Sequence, residues 1–390
     1  MILALCLVSA IRTTSGEDSV RPSPYVQWNR GPSASAAFFP IGVWLQNPAK
    51  ARRYRAAGFN TYVGLWNGPT ETQLAELKAA DMRVICKQNE VGLAHWDDPV
   101  IIGWMQGDEP DNAQSRQGGG YAPPVSPAEV LREYERMRAA DPSRPVLLNL
   151  GQGVAWDAWP GRGVRTNHPE DYPEYVRAAD IVSFDIYPVT HSHPDVSGKL
   201  SYVGLGVERL VKWSRGEKII WNCLECTRIH HPTAKPTPAQ VRSEAWMALI
   251  RGSCGLIYFV HEWEPKFRES ALFDDPDMLA GVTELNREIA RWAPLLNTPS
   301  LDGLATVRST GADEDMALMV KQGKDGTYLF AMETGGKPAT AQFELLRGLR
   351  SGVSIRALED GREWPLKVNR FEETFEAWQV RIYRVTPALQ

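Results

Sequence analysis

VIIGWMQGDEP, residues 100–110, is apolar from Val100 to Met105, turns polar at Gln106 and ends on Asp108, Glu109 and Pro110. An unbroken apolar run of this length suits a strand buried on both faces, the mark of a parallel sheet covered by helices. Seven further runs share the character: AFFPIGVWLQ (37–46), FNTYVGLW (59–66), MRVICKQN (82–89), PVLLNLG (145–151), IVSFDIYPV (181–189), KIIWNCLEC (218–226) and GLIYFVHEW (255–263). Helical stretches separate them: AKARRYRAAG (49–58), TETQLAELKAAD (70–81), DYPEYVRAAD (171–180) and GVERLVKWSRG (206–216). Only a short connection follows the third strand. The helix after the fourth starts with Ser126 as N-cap, Pro127 at N1 and Glu129 at N3, a capping box, and sets Val130, Leu131, Tyr134 and Met137 on one face. Thr237 and Gln240 repeat the device after strand seven, and Asp275-Pro276 opens a last helix carrying Leu279, Val282, Leu285, Ile289 and Trp292.

Eight strand–helix units close into a (β/α)8 TIM barrel more naturally than into an open sheet. A doubly wound sheet would carry a G-x-G-x-x-G turn after an early strand, and none is present. After about residue 297 short alternating runs take over: LATVRST, MALMVKQ, TYLFAMET, ATAQFELL, VSIRALED and WQVRIYRV. These predict a small C-terminal antiparallel β-sandwich. The expected α/β organisation is a signal-like segment over 1–16, a barrel over 17–297 and the sandwich over 298–390.

The 390 residues carry a net charge of −4, which gives no electrostatic case for nucleic acid or an anionic membrane as partner. Residues 1–16 hold about ten apolar residues, too few to span a bilayer, with Val8 and Ala10 as small residues before a cleavage point. A secreted or periplasmic protein is expected. Cys6 would leave with that segment; Cys86, Cys223, Cys226 and Cys254 are expected as buried free thiols, since Cys223-x-x-Cys226 lies on a strand and has no second pair at zinc spacing. There are 14 Trp against 12 Tyr and 11 Phe, and indoles make flat platforms for sugar rings.

Polar residues at the C-terminal ends of barrel strands face the active-site mouth. Those ends supply Trp66, Asn67, Lys87, Gln88, Asn89, Asp108, Glu109, Asn149, Asp185, Tyr187, Glu225, Arg228, His261, Glu262 and Trp263. Trp156 and Trp159 follow strand five as candidate sugar platforms. Glu109 ends the fourth strand and Glu225 the seventh. Two carboxylates across a barrel mouth are what glycosidic cleavage needs: one protonates the leaving oxygen, and the other attacks the anomeric carbon or activates water. His191 and His193 follow strand six, and His230 and His231 follow strand seven. Strand one has no H-x-H pair, so no metal and no cofactor is expected.

The layout resembles the retaining glycoside hydrolases of clan A. That resemblance implies Glu109 as acid/base, Glu225 as nucleophile, Tyr187 as the group holding the nucleophile and Trp263 as a sugar floor. Trp66, Lys87, Asp108, Asn149, Trp156, Asp185 and His261 would complete substrate binding. FEETFEAWQVRIYRV (371–385) resembles the last strands of the sandwich appended to many such enzymes. The implied activity is retaining hydrolysis of a β-linked oligo- or polysaccharide. Many clan members place Asn before the acid/base, where this chain has Asp108; a carboxylate accepts from a hydroxyl but cannot donate. The alternatives are a barrel that binds glycans without cleaving them, and a barrel hydrolase of unrelated chemistry. The loop DNAQSRQGGGYAPPV (111–125) starts beside the expected proton donor, and its three glycines, Arg116 and Tyr121 suit a lid.

Overall fold

The computed structural model describes residues 23–311, 316–346, 353–365, 369–387 and 389. The expected signal-like segment lies outside them. Eight parallel strands run β1 Ile41–Trp44, β2 Thr61–Val63, β3 Arg83–Cys86, β4 Ile101–Met105, β5 Val146–Leu150, β6 Ile181–Phe184, β7 in two pieces (Ile219–Ile220 and Asn222–Glu225) and β8 Leu256–Phe259. Their order is sequential, and the break in β7 at Trp221 closes the ring. Its first piece pairs with β6 and its second with β8, which returns to β1. Helices α1 Ala51–Ala56, α2 Glu71–Ala79, α3 Glu90–Ala94, α4 Pro127–Ala140, α5 Tyr172–Arg177, α6 Ser201–Trp213, α7 Pro238–Ile250 and α8 Pro276–Leu296 cover it. The short connection after β3 carries the single turn α3, capped by Asn89.

Alternation along each strand divides two cores. Trp44, Val63, Ile85, Leu147, Ile181, Cys223 and Ile257 fill the barrel. Val43, Tyr62, Val84, Leu148, Val182, Leu224 and Tyr258 pack outward beneath the helices. Tyr25 and Trp28, from the segment before β1, belong to the inner cluster; the Tyr25 hydroxyl donates to the Cys254 carbonyl and accepts from Trp221 Nε1, each at 2.8 Å. The capping boxes at Ser126 and Thr237 form as expected, and a third forms at Thr70 with Gln73.

Two antiparallel sheets follow. One has the order β9 (Ala305–Ser309), β12 (Ala339–Leu345), β15 (Arg370–Phe375). The other runs β10 (Met316–Gly323), β11 (Gly326–Glu333), β16 (Val380–Thr386), β13 (Ser354–Ala357), β14 (Glu363–Pro365). Phe330 stacks on Trp246 of α7 at 5.6 Å and meets Trp292 of α8 edge-on at 5.5 Å, so one apolar core runs from barrel helices into the sandwich. The fold is the (β/α)8 barrel with a C-terminal β-sandwich that the sequence predicts.

Candidate active site

The end of β4 carries a concentrated acidic group. Glu109 has φ 43°, a left-handed backbone that few non-glycine residues adopt, and its N–H donates to the Asn149 carbonyl at 3.1 Å. Leu45 and Asn67, just past β1 and β2, share that left-handed geometry with φ 44° and 50°. Asn149 of β5 bridges two acids, giving Nδ2–H to Asp108 at 3.0 Å and to Asp185 at 3.4 Å, while its Oδ1 accepts from Ser183 Oγ at 2.7 Å. Asn112 donates to Glu109 Oε2 at 2.9 Å. The Glu109 and Asp185 carboxyls lie side by side, and Tyr187 lies close to Asp185.

Two carboxyls in contact must hold a proton between them, because full ionisation of both is strongly unfavourable. Burial, then the charges of Asp185 and Asp108, push Glu109 well above the ordinary carboxyl range. These causes favour the protonated form of Glu109. Asp108 is pushed up to about 7 by burial and by Asp185. Its surface is open to solvent, so it sits in a recess of the mouth: water reaches it, yet protein surrounds most of it. Asp111, wholly buried, accepts from the Gly151 amide and the Tyr172 hydroxyl, both at 2.9 Å, and ties the loop after β4 to the loop after β5.

Glu225 stands in a second buried acidic pair. It has no exposed surface and accepts from the Val189 amide (2.6 Å), the Thr190 amide (3.0 Å) and the Thr190 hydroxyl (2.7 Å). Its carboxylate neighbour is Glu244 of α7, not Glu109. Neither oxygen of Glu244 meets an N–H or hydroxyl group, and its polar contact is the Glu225 carboxyl. Burial and Glu225 raise Glu244 well above its ordinary value, while burial, opposed by the loop donors and Glu244, leaves Glu225 at about 7. Of the two, Glu244 is the more strongly held in its protonated form. Tyr187, expected to hold the nucleophile, lies close to Asp185, while the donors to Glu225 are Val189 and Thr190.

The structure thus gathers Asp108, Glu109, Asn149, Asp185 and Tyr187. Trp66 and Trp263 are exposed at the rim, 41% and 38% accessible, and Lys87 is exposed beyond β3. Trp156 is buried, packed against Trp159 at 5.9 Å and His193 at 4.7 Å, so its ring anchors loops and is no open platform. His261 is buried beneath the rim aromatics, and burial drops it to about 4. Glu262 is paired with Arg228 and Arg268. His191 bonds Gln152 at 2.8 Å, and no group of three or more His, Cys, Asp or Glu suited to a metal exists among the described residues. Cys86, Cys223 and Cys226 are buried free thiols, and Cys254 is free and part-buried. Sequence reasoning missed Asn112, Thr190 and Glu244. Glu244 left a signal: it shares the apolar face of α7 with Val241, Ala245 and Ala248, where a carboxylate needs a partner.

No family model matches the chain, and no curated protein does. Solved structures do. An α-amylase of Geobacillus thermoleovorans, complexed with acarbose, aligns with a TM-score of 0.51 at 10% identity, over 90% of this chain and 99% of that one. α-Galactosidase I of Mortierella vinacea aligns with a TM-score of 0.53 at 10% identity, over 91% and 98%. At that identity the likeness is one of fold, across almost the whole of each chain. Among the described residues no helix is long and apolar enough to cross a membrane.

Proposed function

We propose that this protein hydrolyses glycosidic bonds, with Glu109 as the acid/base. One observation supports the reading: a strand-four glutamate at the barrel mouth whose burial and acidic neighbours, Asp185 and Asp108, favour its protonated form. A general acid must arrive protonated, and its partner carboxylate ionised. Glu225 is the strand-seven candidate for the second role, since the Val189 and Thr190 donors and Glu244 favour its charged form against the burial that raises it to about 7. The proposal follows the layout inferred from the sequence: retaining hydrolysis of a β-linked oligo- or polysaccharide, with Glu225 as nucleophile and Glu109 serving both steps. For Glu225 to attack, the Val189–Thr190 loop must uncover it. The α-amylase and α-galactosidase above are named for α-linked chemistry, so β-linkage rests on the strand-four and strand-seven glutamates alone. Secretion rests on the N-terminal sequence.

A second reading is favoured by the burial of Glu225: Asp108, exposed beside Glu109, supplies the second carboxylate. Activity against aryl α- and β-glycosides, followed by NMR of the first-formed anomer, tests both. Glu109→Gln should lower kcat on poor leaving groups far more than on activated ones. A Glu225→Ala enzyme rescued by azide would support Glu225 as nucleophile; rescue only in Asp108→Ala would move the role. Glycan binding without turnover on any substrate would leave a binding barrel.

A further inference from the structure

Three of the exposed large hydrophobic side chains among the described residues are rim aromatics: Trp66, Trp263 and Phe267. They belong to one stack. Trp263 and Phe267 lie 4.6 Å apart, His230 stacks on the other rings through Trp263 at 5.7 Å, and all three rim rings meet His261 at 5.8–6.1 Å between centroids. The stack continues inward from His261 to Phe259 (4.9 Å) and from Phe259 to Tyr187 (5.4 Å), which lies close to Asp185. Aromatic rings thus run without a gap from the Glu109–Asp185 pair to solvent.

His261 adds a second, independent feature. Its Nε2 lies 3.1 Å from the Leu45 carbonyl and 3.2 Å from Gln46 Nε2, so it donates to the first in one tautomer and accepts from the second in the other. In either tautomer Nδ1 is buried and without a partner. A buried polar atom left unpaired costs free energy until a partner arrives. Burial keeps the ring neutral.

We infer that the Trp66–Trp263–Phe267 shelf, with His261 beneath it, binds further units of a carbohydrate chain, so the substrate is an extended oligo- or polysaccharide rather than a terminal sugar. The inference rests on the proposed glycosidase reading and adds Phe267 and His230 to the residues that meet substrate. Sugar rings present apolar C–H faces to the exposed aromatics and carry hydroxyls that can donate to or accept from the open nitrogen. Glu262, one of the acids of this rim, is paired with Arg228 and Arg268.

The experiment is calorimetric binding to the Glu109→Gln protein, with maltohexaose, cellohexaose, xylohexaose and mannohexaose and their disaccharides as probes. At least one hexaose should bind more tightly than its disaccharide. Phe267→Ala in that background should weaken the hexaose roughly five- to tenfold, the loss of one aromatic contact, and reduce the chain-length gain accordingly. Phe267→Tyr keeps the ring and should keep the gain. Equal affinity for hexaose and disaccharide, equal weakening of both by Phe267→Ala, or failure of Phe267→Tyr to retain the gain overturns the inference. Turnover of aryl glycosides by the unaltered enzyme separates the two ideas. Turnover without a chain-length gain removes the shelf alone; a gain without turnover removes the hydrolase reading and leaves the shelf.

Discussion

Replacing Asp185 with Asn removes the charge that holds the proton on Glu109, and the consequence can be worked through. Two unit charges about 4 Å apart repel by about 4 kcal/mol at an effective dielectric near 20, equal to about three pK units. Asn149 and Tyr187 already stabilise charge on Asp185, and Asp108 beside it is open to water, so about half of that is expected, roughly one to two units. Glu109 in the folded state binds its proton more tightly than the unfolded chain does. Stability therefore falls as pH rises from the ordinary Glu range toward the raised folded value. Asp185→Asn lowers that folded value. The variant should match the parent near pH 4 and exceed it by about 1–2 kcal/mol at pH 8, a few degrees in Tm. Calorimetric Tm against pH measures this with no substrate. Once a glycoside is in hand, the alkaline limb of kcat/KM, which reports loss of the acid's proton, should move to lower pH by the same one to two units. Parallel Tm curves for parent and variant across pH 4–9 would refute proton sharing between Glu109 and Asp185.

Three further outcomes follow from particular contacts. Glu244→Gln lets an amide donate to Glu225 in place of a shared proton, so the alkaline loss of stability contributed by Glu244 should shrink, by about 1–2 kcal/mol at pH 9, in urea unfolding compared at pH 5 and pH 9. Replacing residues 116–120 with Asn-Gly should leave stability within about 0.5 kcal/mol, because the ribbon of Gln114–Ser115 and Tyr121–Ala122 can close on a two-residue turn and nothing lies within 4 Å of Cβ atoms placed on Gly118, Gly119 or Gly120; a fall in turnover of a long glycan with unchanged Tm would show the loop acting as a lid. Gly206→Ala should destabilise by about 1–3 kcal/mol in the same unfolding assay, because its Cβ would stand 2.1 Å from the Phe184 ring behind β6.

How far the sequence reaches depends on the range of the forces involved. Val100–Met105 announces a doubly buried strand because burial acts on each residue where it stands, and Ser126 with Glu129 announces a helix start because the capping bonds are local. The same locality puts Glu109 and Asp185 at the mouth: both end strands, and strand ends face one way in a parallel barrel. What strand ends do not reveal is which neighbour each carboxyl chooses. Tyr187 was expected to hold the strand-seven glutamate, yet it lies by Asp185. Glu225 turns to the amides of Val189 and Thr190 and to Glu244, partners that lie 35 or 36 residues before it and 19 after it. Those contacts depend on how the loop after β6 folds back and on one acidic residue in the apolar face of α7. Neither has a periodic or capping signature. Glu244 is the residue whose oddity could have been read: a carboxyl among Val241, Ala245 and Ala248 cannot stay charged and alone. Once it needs a partner, the nearest strand of the barrel must supply one, and the strand in contact with α7 is the second piece of β7, which ends on Glu225. The buried pair is then a consequence of the helix sequence, and the role of Glu225 turns on whether the 189–190 loop releases it to the mouth that Glu109 already occupies.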